Sequence, residues 1–299
     1  MASKRLQTVF FGSGPVALES LRLLAKNFDL EAIVTKPSTQ AVMQSAFPDV
    51  PVFTVSRRAE LDALCAEQKF KSTFGIVIDF GVIIDNAALA SFPLGIINSH
   101  FSLLPEWRGV DPITFAILSG QKRTGVSLMA VVRAWDEGPI LAQAPYDIGP
   151  DTTTPELTRD LIQLSDTMLA NIVPLYVSGD LMPQDQLMAT IGPKEPTYSR
   201  KLTKEDGRLD WTKPAKVLER EIRAYVEWPH SYTTLAGKDV IITKAAVTHM
   251  NGVPGSTAAT KKQLFVCCGK DALEIQRLKP AGKPEMTAQA FLAGYGKLL

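Results

Sequence analysis

Short apolar runs alternate with amphipathic stretches over the first 180 residues, and this alternation limits the fold more than any other feature. Residues 8–11 form an apolar run followed by a glycine turn, and residues 73–80 form an apolar, β-branched run typical of a buried parallel strand. Further strands are predicted at residues 32–34, 52–53, 96–97, 127–132 and 140–144, and helices at 59–68, 113–119 and 154–177. Strands that alternate with helices predict an α/β fold with a doubly wound, mostly parallel sheet.

The sequence changes character after Gly179. Residues 182–201 contain Pro183, Pro193 and Pro196 and few apolar positions, which predicts an extended linker. After a predicted helix at 214–226, short strands between glycine turns are predicted at residues 232–235, 240–243, 256–259, 264–267 and 272–278. We therefore predict a first domain at residues 1–179, a linker at 180–202, and a small β-barrel domain of the oligonucleotide-binding kind at 203–299.

Composition excludes several classes of protein. Hydrophobic residues make up 45% of the 299 positions and charged residues 21%, as in ordinary globular proteins. No apolar run approaches the ~20 residues of a membrane span, and the first residues lack the apolar stretch of a signal peptide. Three cysteines, Cys65, Cys267 and Cys268, fit neither a disulfide framework nor a metal spacing. We predict a cytoplasmic protein with no membrane association, no metal and no obligate protein partner.

Charge is distributed unevenly along the chain. Residues 1–199 carry 15 basic and 21 acidic side chains, a net charge of −6, whereas residues 200–299 carry 17 and 10, a net charge of +7. A basic C-terminal part predicts a polyanionic partner for that part of the chain. An ordinary basic domain without such a partner would give the same count.

A glycine-rich turn follows the first predicted strand. The stretch from Gly12 to Ala17 matches the G-x-G-x-x-A pattern of dinucleotide-binding proteins. Those proteins need an acidic residue about 20 positions later to hold the ribose, and the second strand is followed by Thr35, Lys36 and Pro37 instead. We therefore interpret the glycines as permitting a tight turn from strand to helix, without a nicotinamide cofactor.

Polar side chains follow the strand predicted at residues 96–97. Asn98 and His100 lie two positions apart, so an extended backbone points both side chains to one side. Polar groups at the carboxyl end of such a strand lie in the crevice where α/β folds bind ligands. We expect both side chains of this pair to contact one substrate oxygen. We also expect Asp136, which lies in a turn between two later strands, to reach the same place. Each residue taken singly has a simpler interpretation, as a turn former or a hydrogen-bonded histidine.

Several motifs together resemble the signature of the folate-dependent formyltransferases. They are Asn98-Ser99-His100, Ser102-Leu103-Leu104-Pro105, Trp107-Arg108-Gly109, Thr124-Gly125-Val126 and Asp136-Glu137-Gly138, with Tyr198-Ser199-Arg200-Lys201-Leu202, Ile222-Arg223-Ala224 and Lys279-Pro280-Ala281-Gly282-Lys283 in the C-terminal part. The resemblance implies a Rossmann-like catalytic domain, a linker and a barrel-like domain that helps to hold RNA. It implies formyl transfer from 10-formyltetrahydrofolate, the donor substrate, to the amino group of a charged methionyl initiator tRNA during translation initiation.

The resemblance also implies roles for particular residues. Asn98 would donate a hydrogen bond to the oxyanion, His100 would share that oxygen or move a proton, and Asp136 would orient the imidazole. The folate is expected to dock against the loop formed by Ser102, Leu103, Leu104 and Pro105, and against Asp79, Phe80 and Gly81. The charge asymmetry adds a set of expected phosphate contacts in the C-terminal part: Lys201, Lys204, Arg208, Lys279 and Lys283.

The chain also departs from the family pattern. Members usually carry a long basic loop after the second strand, whereas here Lys36 and Arg108 are the remaining candidates for RNA contact in the first domain. Glu106, Asp111 and Asp79 stand where members tend to have basic or apolar residues. Three alternatives therefore stay open: a formyltransferase acting on a small amine such as an amino sugar, a hydrolase that releases formate from the same folate, and a non-catalytic RNA-binding relative. The basic C-terminal part favours an RNA acceptor over the first two.

Overall fold

The computed structural model describes residues 5–298, and these residues cluster into two compact units. The first unit comprises the residues up to Pro112 together with Arg123–Asp147 and Thr158–Arg200. The second comprises Ile113–Lys122, Ile148–Leu157 and the chain from Lys201 onward. The second unit therefore takes two short segments from within the first 160 residues.

A seven-stranded sheet forms the centre of the first unit. Its strands are β1 (Gln7–Phe11), β2 (Asp29–Thr35), β3 (Val52–Thr54), β4 (Gly75–Val77), β5 (Ile96–His100), β7 (Arg123–Ala130) and β8 (Ile140–Asp147), and a separate short strand β6 (Arg108–Gly109) pairs with β9 (Tyr198–Ser199). The order is β3-β2-β1-β4-β5-β7-β8. The first five are parallel, and β7 and β8 run antiparallel to their neighbours. This mostly parallel sheet confirms the predicted fold class.

The parallel strands are buried because helices alternate with them along the chain. Val9, Phe11, Val34, Val77 and Ile96 belong to one apolar core on this sheet. The helices of the chain are α1 (Pro15–Asn27), α2 (Gln40–Ala46), α3 (Arg58–Gln68), α4 (Asn86–Ala90), α5 (Pro112–Ser119), α6 (Thr154–Ser178), α7 (Gln186–Ala189), α8 (Ala215–Ala224) and α9 (Ala288–Tyr295). None of the helices within residues 5–298 has the length and apolar character needed to cross a membrane.

The direction of strand order reverses between β1 and β4, which neighbour each other in the sheet. The crevice beyond the carboxyl ends of two such strands is the usual ligand site of an open α/β sheet. The glycine turn lies here: the amides of Ser13 and Gly14 both donate to the Asp79 carbonyl at 2.9 Å. A Cβ on Gly14 would lie 1.7 Å from an Asp79 carboxylate oxygen, so any side chain here would displace that carboxylate.

The second unit is built on an antiparallel sheet with a separate core. Strands β10 (Ser231–Leu235), β11 (Lys238–Thr248), β12 (Thr257–Ala259), β13 (Leu264–Cys267) and β14 (Ala272–Pro280) lie in the order β10-β11-β14-β13-β12, and β15 (Met286–Thr287) pairs with β14. Leu218 and Ile222 of α8 and Phe291 of α9 pack in this core with residues of the sheet. The predicted antiparallel, barrel-like sheet of short strands is confirmed.

Several elements differ from their predicted form. Residues 37–46, for which no helix is predicted, contain a 3-10 turn at Pro37–Thr39 and helix α2. Strand β4 covers three residues rather than eight. The segment predicted as an extended linker carries α7 and β9, and its Gln184 exchanges two backbone hydrogen bonds with Ile140, at 2.7 and 2.8 Å. These bonds fix that part of the segment to the start of β8.

Replacing Phe291 by alanine should destabilise the second unit by about 3–5 kcal/mol, because its side chain is fully buried in the core and alanine would leave a cavity. Urea unfolding of the full chain measures this loss. Val253→Ala is the control: Val253 is 75% exposed, so its truncation should change stability very little. Equal effects from the two substitutions would contradict this assignment of the core.

Candidate active site

Two of the three predicted catalytic side chains come from β5. Alternation along this strand places Asn98 and His100 on the same face of the sheet, with Ser99 on the opposite face. Asn98 is half-buried, and His100 retains only 6% of its exposure. Register with β4 pairs Asn98 with Val77, which places these side chains at the carboxyl end of the parallel strands.

The third side chain comes from the turn between β7 and β8. Asp136 Oδ1 lies 3.4 Å from the Asn98 amide nitrogen and 3.7 Å from His100 Nδ1, and Asp136 Oδ2 accepts a hydrogen bond from the Gly109 amide at 2.8 Å. The structure therefore brings the three predicted residues together around one carboxylate. The 3.4 Å separation is long for a hydrogen bond, so the Asn98 amide can turn towards a substrate oxygen at little cost.

The hydrogen bonds of His100 define which ring nitrogen can accept a proton. Nε2 lies 3.0 Å from the Trp107 carbonyl oxygen. A carbonyl can only accept, so Nε2 carries the hydrogen and the neutral ring keeps its lone pair on Nδ1. Nδ1 is also the nitrogen that faces Asp136. A proton taken up there would lie between the imidazole and a carboxylate.

Gly109 contributes its backbone to the site. Its amide donates to Asp136, and its φ of +117° suits glycine. A Cβ at this position would lie 2.5 Å from the Ser199 carbonyl oxygen. The Trp107-Arg108-Gly109 motif therefore supplies a backbone donor that side-chain chemistry alone does not reveal.

Arg108, predicted to contact RNA, is held inside the first unit. Its side chain is 12% exposed, and its guanidinium donates to Glu137 at 3.0 Å and to Gln186 at 2.8 Å. The other predicted RNA contact in this unit, Lys36, is half-buried, and its Nζ lies 2.8 Å from where a Cβ on Gly81 would be. Arg108 is thus fixed by neighbouring protein groups, and Lys36 lies close to the Gly81 backbone.

The predicted folate loop is a buried support. Ser102 and Leu104 have no exposure and Leu103 has 3%. The loop is tied to the sheet by Ser127, whose Oγ accepts from the Leu104 amide at 3.0 Å and donates to the Ser102 carbonyl at 2.6 Å. Two further bonds involve loop carbonyls: Gln143 Nε2 donates to Leu104 at 2.8 Å, and the Thr197 amide donates to Pro105 at 3.2 Å.

The sequence does not predict Ser127 or Gln143 as site residues. Both lie on strands and have ordinary strand periodicity, so no local signal marks them. Their contacts shape the loop against which the donor is expected to dock.

Asp79, Phe80 and Gly81 lie beyond β4, at the crevice between β4 and β1. The Phe80 side chain packs in the core against Phe11, with ring centroids 5.8 Å apart, whereas Asp79 and Gly81 reach solvent. Asp79 and Gly81 have φ values of +50° and +65°. Desolvation by the surrounding protein raises the pKa of the Asp79 carboxyl. A hydrogen bond from the Val16 amide and the charge of Lys36 oppose this shift, and the charge of Asp111 reinforces it.

The five basic residues predicted to contact phosphate in the second unit are all exposed. Lys204 lies in a 3-10 turn at Lys204–Gly207, and Arg208, which follows it, lies 3.6 Å from Glu205. Lys279 is the penultimate residue of β14, where it pairs with Ile241 of β11, and Lys283 lies in the following turn. Among residues 5–298, no group of three or more His, Cys, Asp or Glu side chains is arranged to hold a metal ion.

We predict that Asn98, His100 and Asp136 act at one reacting centre, because their side chains converge around one carboxylate. Replacement of each by alanine should therefore lower turnover by about 10²-fold or more. If His100 and Asp136 act on one proton, as we predict, their double variant should lose much less than the product of the single losses. Single-turnover formyl transfer measures the losses, and circular dichroism checks folding. Multiplicative losses would contradict a shared role.

Asp79→Asn should raise the melting temperature at pH 7. Because the pKa is raised, the native state binds the Asp79 proton more tightly than the unfolded chain does. Proton binding therefore stabilises the native state at low pH, and this stabilisation is lost as the pH rises through the native pKa. The gain from Asp79→Asn should therefore vanish below about pH 4, near the ordinary carboxyl pKa.

Asp85→Asn is the matched control with the opposite sign. The Asn86 amide lowers the pKa of Asp85, with Arg133 and Arg58 acting in the same direction, so removing that charge should lower the melting temperature at pH 7. Thermal melts of both variants from pH 3 to pH 8 test the pair. A loss of stability from Asp79→Asn at pH 7 would refute the assignment.

Comparison with known proteins identifies the family. Residues 26–173 match the family model described as formyl transferase, and residues 201–296 match the formyl transferase C-terminal domain. The chain is 36% identical over 307 residues to the methionyl-tRNA formyltransferase of Chloroflexus aggregans, with 97% of each chain covered.

Solved structures share the fold at lower sequence identity. An N-formyltransferase from Helicobacter canadensis, in complex with folinic acid and dTDP-3-aminofucose, is 15% identical, with a TM-score of 0.67 over 91% of this chain and 99% of the other. HypX from Aquifex aeolicus in complex with tetrahydrofolic acid is 16% identical, with a TM-score of 0.64 over 98% of this chain and 48% of the other. With both domain models matched and near-complete coverage of its curated relatives, the chain belongs to the methionyl-tRNA formyltransferase family.

Proposed function

We propose that this chain transfers the formyl group of 10-formyltetrahydrofolate to the amino group of methionyl initiator tRNA in the cytoplasm. The observation that carries the proposal is the meeting of Asn98, His100 and Asp136 around one carboxylate, at the carboxyl end of the parallel strands. Family membership supplies the reaction class. The geometry supports the residue roles that we propose.

The amine nitrogen attacks the formyl carbon, a nitrogen–carbon bond forms, and the carbonyl oxygen gains negative charge. The Asn98 amide is placed to donate a hydrogen bond to this oxygen, and one such donor typically contributes ~10²–10³ in rate. Collapse of the tetrahedral intermediate breaks the bond from carbon to the folate nitrogen. The products are a formylated amine and tetrahydrofolate.

His100 moves the proton that the attacking amine must lose. Its free Nδ1 accepts this proton, Asp136 stabilises the resulting imidazolium, and the proton then passes to the departing folate nitrogen. General acid–base catalysis of this kind contributes roughly 10²–10⁴ in rate. An α-amino group has a pKa near ~8, so a useful fraction is already neutral and no strong base is needed.

The second unit supports an RNA acceptor. The exposed lysines that we propose as phosphate contacts lie in two places, at Lys201 and Lys204 before α8 and at Lys279 and Lys283 around the end of β14. Each exposed lysine can approach a phosphate while remaining hydrated, which is the basis of sequence-independent RNA affinity. An enzyme for a small amine would gain nothing from these charges.

Formyl transfer assayed with purified full-length chain tests the proposal. Radiolabelled 10-formyltetrahydrofolate is supplied with methionyl initiator tRNA, with methionine methyl ester or a nucleotide-linked amino sugar, or without acceptor. Transfer to the charged tRNA at least about 10²-fold more efficient than to the small amines supports the proposal. Preferred transfer to an amino sugar, or formate release without acceptor, would overturn the acceptor or the reaction respectively.

Affinity for charged tRNA should fall steeply with salt. Lys279→Gln and Lys283→Gln should each reduce the slope of log affinity against log salt by about 0.7–0.9, because each would remove one phosphate contact. Lys262→Gln, an exposed lysine in the turn between β12 and β13, is the matched control and should leave the slope unchanged. Affinity independent of salt would refute RNA binding through these residues.

A further inference from the structure

The turn that carries Asp136 has an unusual backbone. Asp136 has a φ of +52°, in the left-handed region that residues with a Cβ rarely adopt. A residue in this conformation needs surrounding contacts that hold it there. The position of its carboxylate relative to His100 therefore depends on whatever fixes the turn.

Gln186 makes those contacts. Its side chain is buried, at 4% exposure, and its Nε2 donates to the carbonyl of Asp136 at 2.6 Å and to that of Gly138 at 2.9 Å. Its Oε1 accepts from Arg108 at 2.8 Å, and the same guanidinium pairs with Glu137 at 3.0 Å. One amide and the arginine bound to it thus contact all three residues of the turn.

The orientation of this amide is fixed by its partners. The two carbonyls can only accept hydrogen bonds and the guanidinium can only donate them. Rotating the amide by 180° would set its oxygen against two carbonyl oxygens and its NH₂ group against an arginine. The Gln186 amide can therefore make these three hydrogen bonds in one orientation only.

The backbone of Gln186 is itself anchored. Gln184, two residues earlier, exchanges two backbone hydrogen bonds with Ile140 at the start of β8. Gln186 therefore contacts the turn from a segment that is bonded to the sheet and lies fifty positions after Asp136 in the chain.

We propose that Gln186 is the positioning residue for Asp136, and that it sets the distance between the Asp136 carboxylate and His100 by bridging the carbonyls on both sides of Glu137. This inference rests on the proposed function, which supplies the reaction used to measure it. Gln186 does not touch the reacting atoms, so its effect must pass through Asp136.

Two variants test the proposal. Gln186→Met removes all three hydrogen bonds without adding charge. Gln186→Glu keeps an oxygen that binds Arg108, which preserves the docking of α7, but loses both bonds to the turn. Each should lower kcat for formyl transfer to methionyl initiator tRNA about 10- to 100-fold, since small misplacements of a catalytic group cost up to ~10²-fold. The KM for 10-formyltetrahydrofolate should stay within about threefold.

The decisive measurement is a double-mutant cycle with Asp136→Ala. If Gln186 acts through Asp136, then Gln186→Met should cause little further loss of kcat once the carboxylate is absent. A loss of equal size in both backgrounds would overturn the proposal, as would wild-type kcat in Gln186→Glu.

Asp185→Ala is the structural control, because it removes the α7 cap without touching the turn. It should leave kcat near the wild-type value. A loss of kcat as large as that of Gln186→Met would attribute both losses to disorder of α7 and would overturn the proposal. Failure of the proposed function is a separate outcome. It would appear as full activity in Asp136→Ala itself, or as absence of formyl transfer in the wild-type chain.

Discussion

The position of the Asp136 carboxylate is the constraint on which the site of the first unit depends. One oxygen faces Asn98 and His100, and the other receives the Gly109 amide. The turn can approach the sheet this closely because Gly138 has no side chain: a Cβ there would lie 1.8 Å from the Ala130 carbonyl oxygen. The end of β5, the Gly109 amide and the turn after β7 therefore meet at a single carboxylate.

The groups that position this carboxylate come mostly from the backbone and from buried amides. Such groups are oriented before any substrate arrives, so little reorganisation is needed as charge develops during the reaction. The imidazole is ordered in the same way, since the Trp107 carbonyl keeps a hydrogen on Nε2 and leaves Nδ1 facing Asp136. In the proposed mechanism, the carbonyl of Trp107, seven residues after His100, thus determines which ring nitrogen can accept a proton.

Local sequence signals predict the parts of this structure that repeat along the chain. Apolar periodicity identifies the strands and the long helix α6, and the two-residue spacing of Asn98 and His100 predicts their shared face. Motif resemblance adds Asp136. The contributions of Gln186, Ser127 and Gly109 could not be predicted, because each acts through hydrogen bonds to residues 25 to 50 positions away and leaves no periodic pattern. Helix α2 was missed because only Met43 in it is buried, so its apolar pattern is weak.

Counting charges is a poor guide to which basic residues can face a polyanion, and both units show the reason. Arg108 lies in the motif region, yet its guanidinium is committed to Glu137 and Gln186, and turning it towards an RNA would leave the Glu137 carboxylate uncompensated. In the second unit, Lys213 is paired with Glu221 at 2.7 Å and Arg223 with Glu219 at 2.6 Å. Each such pair is nearly neutral beyond a Debye length of ~8–10 Å. The placement of the individual exposed lysines is therefore more informative about a polyanionic partner than the net charge of +7.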